Sequence, residues 1–100
     1  EFLHVNDLAK GVIHMLKFYS SSQPINIGTG KDVSIEEFAK IISRVVGYNG
    51  EVNFDLSKPD GTMLKCLDIS NAKKLGWQPN ITLEDGLKSS YMWALKNIFN

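Results

Sequence analysis

The amino-acid sequence predicts a small α/β chain with about four helices and three short strands. The helices are indicated by apolar residues that recur every three or four positions, and the strands by short apolar runs that end in turn-forming residues. At 100 residues, the chain has room for one domain at most. Its content of 43% hydrophobic and 22% charged residues is typical of a folded chain and argues against disorder.

The first two helices have recognisable starts. Asn6 or Asp7 is the predicted N-cap of the first, which follows an apolar strand candidate. Ser34 and Glu37 have the spacing of a capping box at the second helix, and Gly47 is suited to end it in the left-handed conformation. The apolar faces of these helices comprise Leu8, Val12, Met15, Leu16 and Tyr19 in the first, and Phe38, Ile41, Ile42, Val45 and Val46 in the second.

The last two helices lie in the final third of the chain. A short helix is predicted to start at Asp68 or Ser70 and to stop at Gly76, and the last helix starts at Thr82. Asp85, three residues on, supports the start of the last helix. Its predicted buried side comprises Leu87, Tyr91, Ala94, Leu95 and Ile98.

The three predicted strands cover residues 2–5, 25–27 and 51–56. In the third, apolar residues alternate with polar ones, as in a half-buried strand. Strands this short do not complete a sheet, so the helices would expose apolar faces unless another layer covers them. We therefore expect a domain outside these 100 residues to supply part of that cover, and we interpret the chain as a segment of a longer protein.

Charge and composition exclude several classes of function. Eleven basic residues balance eleven acidic ones, so the chain has no basic field for nucleic acid. No apolar stretch is long enough to span a membrane, and the first residues do not resemble a signal peptide. The single cysteine cannot form an internal disulfide, which fits a cytoplasmic location.

Two motifs that would indicate phosphate or dinucleotide binding are incomplete in this sequence. Gly28-Thr29-Gly30-Lys31 lacks both the first glycine of a phosphate-binding loop and the hydroxyl residue after lysine, because Ile25 and Asp32 occupy those positions. Val33 replaces the third glycine of the dinucleotide fingerprint. We interpret this stretch as a turn that ends a strand, and we predict no cofactor-binding residue in the chain.

The remaining candidates favour structural roles. His4 and His14 have no partners at metal-ligand spacing, so no metal site is predicted. Cys66 has no neighbouring base to activate it and is predicted to be a small buried residue. Trp77 and Trp93 are both predicted to pack in the core.

The loop from residue 57 to 65 leaves two interpretations open. It is polar and follows a predicted strand, a common place for ligand-binding groups. The carboxylate of Asp60 could accept the hydroxyls of a ribose, and the ammonium of Lys65 could neutralise a phosphate. The same residues also fit a solvated turn built on Pro59-Asp60-Gly61.

Several stretches resemble one enzyme family. Residues 1–9, and residues 25–30 followed by 34–37, resemble the C-terminal part of extended short-chain dehydrogenases. Residues 54–62 with Lys65, 75–77 and 83–93 are similar to GDP-L-fucose synthases within that superfamily, so the likeness runs over the whole chain. Family members often have Pro-Arg-Lys where this chain has Met63-Leu64-Lys65, which leaves only the lysine in common.

The resemblance implies that residues 1–100 are the C-terminal substrate-binding domain of a cytoplasmic, homodimeric enzyme. That enzyme converts GDP-4-keto-6-deoxy-D-mannose to GDP-L-fucose by 3,5-epimerisation and NADPH-dependent 4-reduction. It also implies that the catalytic groups and the Rossmann domain that binds NADP lie outside this chain, which alone is inactive. Asp60 is implied to contact the ribose, and Lys65 the phosphates or sugar. The alternatives are another nucleotide-sugar epimerase or dehydratase, or a non-enzymatic binding module.

Overall fold

The computed structural model of the chain describes residues 1–99, which contain four helices. They are α1 (Val5–Phe18), α2 (Ile35–Val46), α3 (Ser70–Lys74) and α4 (Leu83–Asn97). No helix within residues 1–99 combines the length and the apolar character needed to cross a membrane. The predicted number and order of helices are therefore confirmed.

The prediction of three short strands is wrong, because no residue from 1 to 99 forms a strand. A strand is stabilised by ladder hydrogen bonds to a neighbouring strand, and local alternation cannot supply that neighbour. The apolar residues of the third predicted strand are exposed, with Val52 at 49%, Phe54 at 55% and Leu56 at 93%. Residues 1–99 therefore show the helices of the predicted α/β class but not its strands.

The chain forms two compact units. Unit 1 comprises residues 1–32 and 65–83, and unit 2 comprises residues 33–64 and the described residues from Glu84 onward. Each unit is thus built from two separate stretches of sequence. The expectation that residues 1–100 act as one substrate-binding domain stays a prediction.

Helix α1 starts two to three residues earlier than predicted. His4 is its N-cap, with φ −68° and ψ 140°, and its Nδ1 accepts a hydrogen bond from the Asn6 backbone N–H at 3.2 Å. An imidazole nitrogen here satisfies one of the free N–H groups of the first turn. The cap is therefore His4 and not Asn6 or Asp7, which both lie inside the helix.

The predicted boundaries of α2 are confirmed by its caps, whereas α3 starts at Ser70, one of the two predicted starts, with Ile69 as an N-cap that makes no side-chain cap hydrogen bond. The Ser34 hydroxyl accepts a hydrogen bond from the Glu37 N–H at 3.0 Å, and Gly47 ends α2 with φ +73°. At α3, the Asp68 carboxylate accepts hydrogen bonds from the Ser70 N–H at 2.9 Å and hydroxyl at 2.6 Å. Gly76 follows α3 with φ +90°, a conformation that glycine adopts at no steric cost.

The core of unit 1 is small and is organised around Trp77. This side chain is 5% exposed and packs with Met15 and Ala72, so its predicted core role is confirmed. A Cβ at Gly11 would approach the Trp77 ring and Ile27 to 3.0 Å, so a larger residue there would require these two side chains to shift. Helix α1 also borders an open apolar groove of about 300 Å³, lined by Val12, Met15, Leu16, Tyr19, Ile25 and Ile27.

Unit 2 buries less of its apolar surface. The predicted face of α2 is half-buried up to Val45, and no residue of this helix is fully buried. On α4, Leu95 and Ile98 are 41% and 61% exposed, and Trp93 is 60% exposed. The prediction that Trp93 packs in the core is therefore wrong, because helical periodicity does not supply a covering layer. The expected cover from another domain stays a prediction.

Candidate substrate-binding segment

The residues predicted to bind substrate lie in a long irregular stretch of the chain. Residues 51–69 contain no helix or strand, and every side chain from 51 to 68 is exposed. We call residues 57–69 the candidate segment, because it contains Asp60 and Lys65. These two residues belong to different units, Asp60 to unit 2 and Lys65 to unit 1.

Asp60 is exposed, and none of the residues from 1 to 99 forms a hydrogen bond or ion pair with its carboxylate. Nearby in the sequence, Asp55 differs, because its carboxylate accepts hydrogen bonds from the Ser57 hydroxyl at 2.6 Å and the Ser57 N–H at 3.0 Å. These bonds lower the pKa of the Asp55 carboxyl. Asp55 therefore shapes the chain, whereas both oxygens of Asp60 are available to a ligand.

Lys65 opens the second stretch of unit 1 and is also exposed. Within the described part of the chain, its ammonium group has no salt bridge or side-chain hydrogen bond. Binding an anion would therefore break no existing contact of this side chain. The uncommitted state of both groups fits a ligand-binding role and equally fits a solvated turn, so the predicted roles of Asp60 and Lys65 stay predictions.

A mostly buried carboxylate holds the backbone beside Lys65. The side chain of Glu1 is 9% exposed. Its Oε1 accepts a hydrogen bond from the Thr29 N–H at 2.9 Å, and its Oε2 accepts one from the Leu67 N–H at 2.7 Å. Glu1 therefore bridges the Gly28–Gly30 turn and the end of the candidate segment, which are separated by 37 or more positions in sequence.

Gly28 is required for this bridge, because a Cβ at this position would overlap the Glu1 carboxylate. The stretch that resembled a phosphate-binding loop thus has a structural role, although the strand that it was predicted to end is not formed by residues 25–27. Desolvation raises the pKa of the Glu1 carboxyl, but the hydrogen bond from the Leu67 N–H, the neighbouring Cys66 thiol and the hydrogen bond from the Thr29 N–H outweigh it. The pKa of Glu1 consequently lies below its usual value.

Cys66 is exposed, so its predicted burial is wrong. It lies in a surface stretch, where a small apolar side chain is not forced inward. The neighbouring Glu1 carboxylate, together with desolvation, raises the pKa of the thiol. The prediction that Cys66 is not activated by a base therefore agrees with its surroundings, because a raised pKa keeps the thiol protonated.

A second carboxylate holds the connector that precedes α4. Asp7 is 1% exposed, and its Oδ2 accepts hydrogen bonds from the backbone N–H groups of Asn80 at 3.1 Å and Ile81 at 2.8 Å. Beside it, His14 Nε2 lies 2.6 Å from the Leu75 carbonyl oxygen. Both groups border a polar cavity of about 330 Å³ in unit 1.

The bonds of Asp7 and Glu1 were not predicted, because each carboxylate binds backbone that lies far along the chain. A sequence motif reports local spacing, and no local signal distinguishes these two residues from exposed acidic residues. Among residues 1–99 there is no group of three or more metal-ligating side chains. The described features are thus backbone held by Glu1 and Asp7, together with a carboxylate at Asp60 and an ammonium at Lys65 that have no partner among residues 1–99.

Comparison with known proteins finds that the chain is similar over its whole length to GDP-L-fucose synthases. It is 46% identical over all 100 of its residues to GDP-L-fucose synthase 1 of Arabidopsis thaliana, of which it covers 31%. It is 48% identical to GDP-L-fucose synthase of Escherichia coli, over 97% of this chain and 33% of that enzyme. The chain therefore spans about a third of the length of these curated relatives. No family model matches it.

A solved structure gives the same result for the fold. GDP-mannoheptose C4 reductase from Campylobacter jejuni, with NADP bound, superposes with a TM-score of 0.82 at 39% identity. The match covers 95% of this chain and 31% of the reductase. The resemblance to GDP-L-fucose synthases is thus confirmed over the whole chain, and the fold is that of part of a short-chain dehydrogenase-type reductase.

Proposed function

We propose that this chain, whose whole length is similar to about a third of GDP-L-fucose synthases, is the substrate-binding part of an enzyme of that family. The full-length enzyme converts GDP-4-keto-6-deoxy-D-mannose to GDP-L-fucose, by epimerisation at C3 and C5 and reduction of the C4 ketone. The single observation that carries the proposal is the 46% identity over all 100 residues.

The chemical steps belong to the rest of that enzyme. NADPH supplies the hydride for the ketone, and the NADP held by the structurally similar reductase supports this choice of cofactor. This chain contributes no catalytic residue and binds no cofactor. Its role is to hold the nucleotide, so that the sugar is oriented toward groups elsewhere in the cytoplasmic enzyme.

Two residues of the candidate segment carry this role. The Asp60 carboxylate accepts hydrogen bonds from the ribose hydroxyls, and the Lys65 ammonium neutralises charge on the diphosphate. Both side chains are exposed, and neither has a partner among residues 1–99, which supports their availability. Because these contacts are remote from the reacting carbon atoms, they contribute similar binding energy in the ground state and the transition state.

The experiment is steady-state kinetics of the full-length enzyme with Asp60→Ala. We expect KM for the GDP-sugar to rise about tenfold while kcat changes less than about threefold, because uniform binding is lost. Asp55→Ala is the matched control, since that carboxylate is exposed but occupied by Ser57. A loss confined to kcat, with KM unchanged, would contradict the ribose contact.

A second candidate is reduction at C4 of a different GDP-sugar. The structural similarity to a GDP-mannoheptose C4 reductase favours it specifically. Both candidates share the GDP group, so the proposed roles of Asp60 and Lys65 are the same in each. Assay of the full-length enzyme with a deoxyhexose and a heptose substrate separates them, because the preferred substrate has the higher kcat/KM.

A further inference from the structure

The backbone that follows Lys65 is held at two points nearby. The Asn26 Nδ2 donates a hydrogen bond to the Asp68 carbonyl oxygen at 3.2 Å, and Leu67 is held one residue closer to the lysine. From residue 51 to 68 the chain is exposed and forms no helix or strand, so little packing fixes its path. The hydrogen bond from the Leu67 N–H to Glu1 Oε2, at 2.7 Å, lies two residues after Lys65. Two residues span at most about 7 Å, so a fixed Leu67 restricts where the Lys65 backbone can lie.

The Glu1 bridge has the features of a preorganised support. Its carboxylate is mostly buried, and both oxygens accept backbone N–H groups from separate stretches of the chain. Charge-assisted hydrogen bonds of this kind are about twice as strong as neutral ones. The space for the carboxylate exists only because Gly28 has no Cβ. The bridge therefore ties the exposed stretch to a turn that lies in the same unit.

We propose that Glu1 is a positioning residue for substrate binding, and that its carboxylate holds the backbone at Leu67 so that the Lys65 ammonium meets the diphosphate of the GDP-sugar. This inference rests on the proposed function of Lys65. Glu1 itself does not touch the substrate. Ordering a binding group in advance lowers the entropy that binding must otherwise offset, so losing the bridge weakens affinity without altering the chemical step.

The test uses the full-length enzyme, with GDP as the probe in calorimetric titrations and with the GDP-sugar in kinetics. Glu1→Gln keeps the size of the side chain but replaces one acceptor oxygen with an amide that cannot accept the second N–H. We expect GDP affinity to fall about three- to tenfold, with KM raised similarly and kcat changed less than about twofold. Glu36→Gln, at an exposed ion pair with Lys40 on α2, is the control.

A double-mutant cycle with Lys65→Ala separates positioning from general stability. Lys65→Ala alone should weaken GDP binding by about tenfold, because a charge-assisted contact is lost. If Glu1 acts through Lys65, Glu1→Gln changes affinity less than about twofold in the Lys65→Ala background. Full multiplication of the two effects would refute the proposal, since a purely structural role weakens binding whether or not the lysine is present.

The Cys66 thiol reports on the bridge independently of activity. Because the Glu1 carboxylate contributes to raising the thiol pKa, Glu1→Gln should speed alkylation of the Cys66 peptide by iodoacetamide at neutral pH, as measured by mass spectrometry. Faster alkylation with unchanged GDP affinity would refute the positioning role alone. Unchanged affinity in Lys65→Ala would refute the proposed contact of Lys65, and the positioning role with it. Unchanged alkylation would refute the bridge itself.

Discussion

Replacing Asp7 with alanine should open the connector before α4. The carboxylate is 1% exposed and accepts the N–H groups of Asn80 and Ile81, so alanine leaves two donors without a partner. Each unsatisfied donor costs roughly 1–3 kcal/mol, so two donors cost roughly 2–6 kcal/mol. We expect a loss in the lower half of this range, about 3 kcal/mol. That free energy corresponds to a roughly 150-fold change in the opening equilibrium of this region.

The assay is amide hydrogen exchange of the full-length protein, followed at Asn80 and Ile81 under conditions where exchange reports the opening equilibrium. Asp7→Asn should destabilise the connector less than Asp7→Ala does. The amide keeps one carbonyl oxygen that can still accept both bonds, although its NH₂ group replaces the other acceptor. Asp55→Ala is the control, since that carboxylate lies on the surface. Exchange at the two amides within about threefold of the unmodified protein would refute the reasoning, because the bonds would then not limit opening.

Two further predictions follow from burial and from pKa. Trp77→Ala should lower the free energy of unfolding by about 3–5 kcal/mol, and Trp93→Ala by less than about 1 kcal/mol, because the rings are 5% and 60% exposed; equal shifts of the urea midpoint would contradict this. The lowered pKa of Glu1 predicts a stability advantage over Glu1→Gln that is fully present above the ordinary glutamate pKa of about 4.3 and disappears as pH falls through the lower folded-state pKa. Urea titrations of both proteins from pH 7 to 3 measure this difference, and a gap that widens toward acid would exclude it.

Local signals predicted the helices well. Ser34, Gly47 and Gly76 act through hydrogen bonds and backbone angles within a few residues, and such features are visible in sequence. The strands failed for the opposite reason. A strand is defined by its neighbour, and the alternating pattern at residues 51–56 carries no information about whether a neighbour exists within residues 1–99.

The candidate site shows the same division. Asp60 and Lys65 could be selected because neighbouring residues resemble a family, and their exposure is compatible with ligand binding without testing it. Glu1 and Asp7 could not be selected, since their hydrogen bonds join positions 28 to 74 residues apart. Trp93 was misjudged because helical spacing identifies an apolar face, whereas burial also requires something to cover that face.

Unit 1 is built from two separate stretches of sequence, and this constrains the order in which its contacts form. Asp7 acquires its backbone partners only after the ribosome has added Asn80 and Ile81, 73 and 74 residues later. At typical synthesis rates this delay is roughly 4 to 15 s, long after α1 has emerged. During that interval the Asp7 side chain is exposed to water. The Trp77 indole, which packs against Gly11 in the folded chain, has not yet been synthesised. The residues of α1 are therefore synthesised early, but the helix gains its tertiary contacts late, through closure of a long loop.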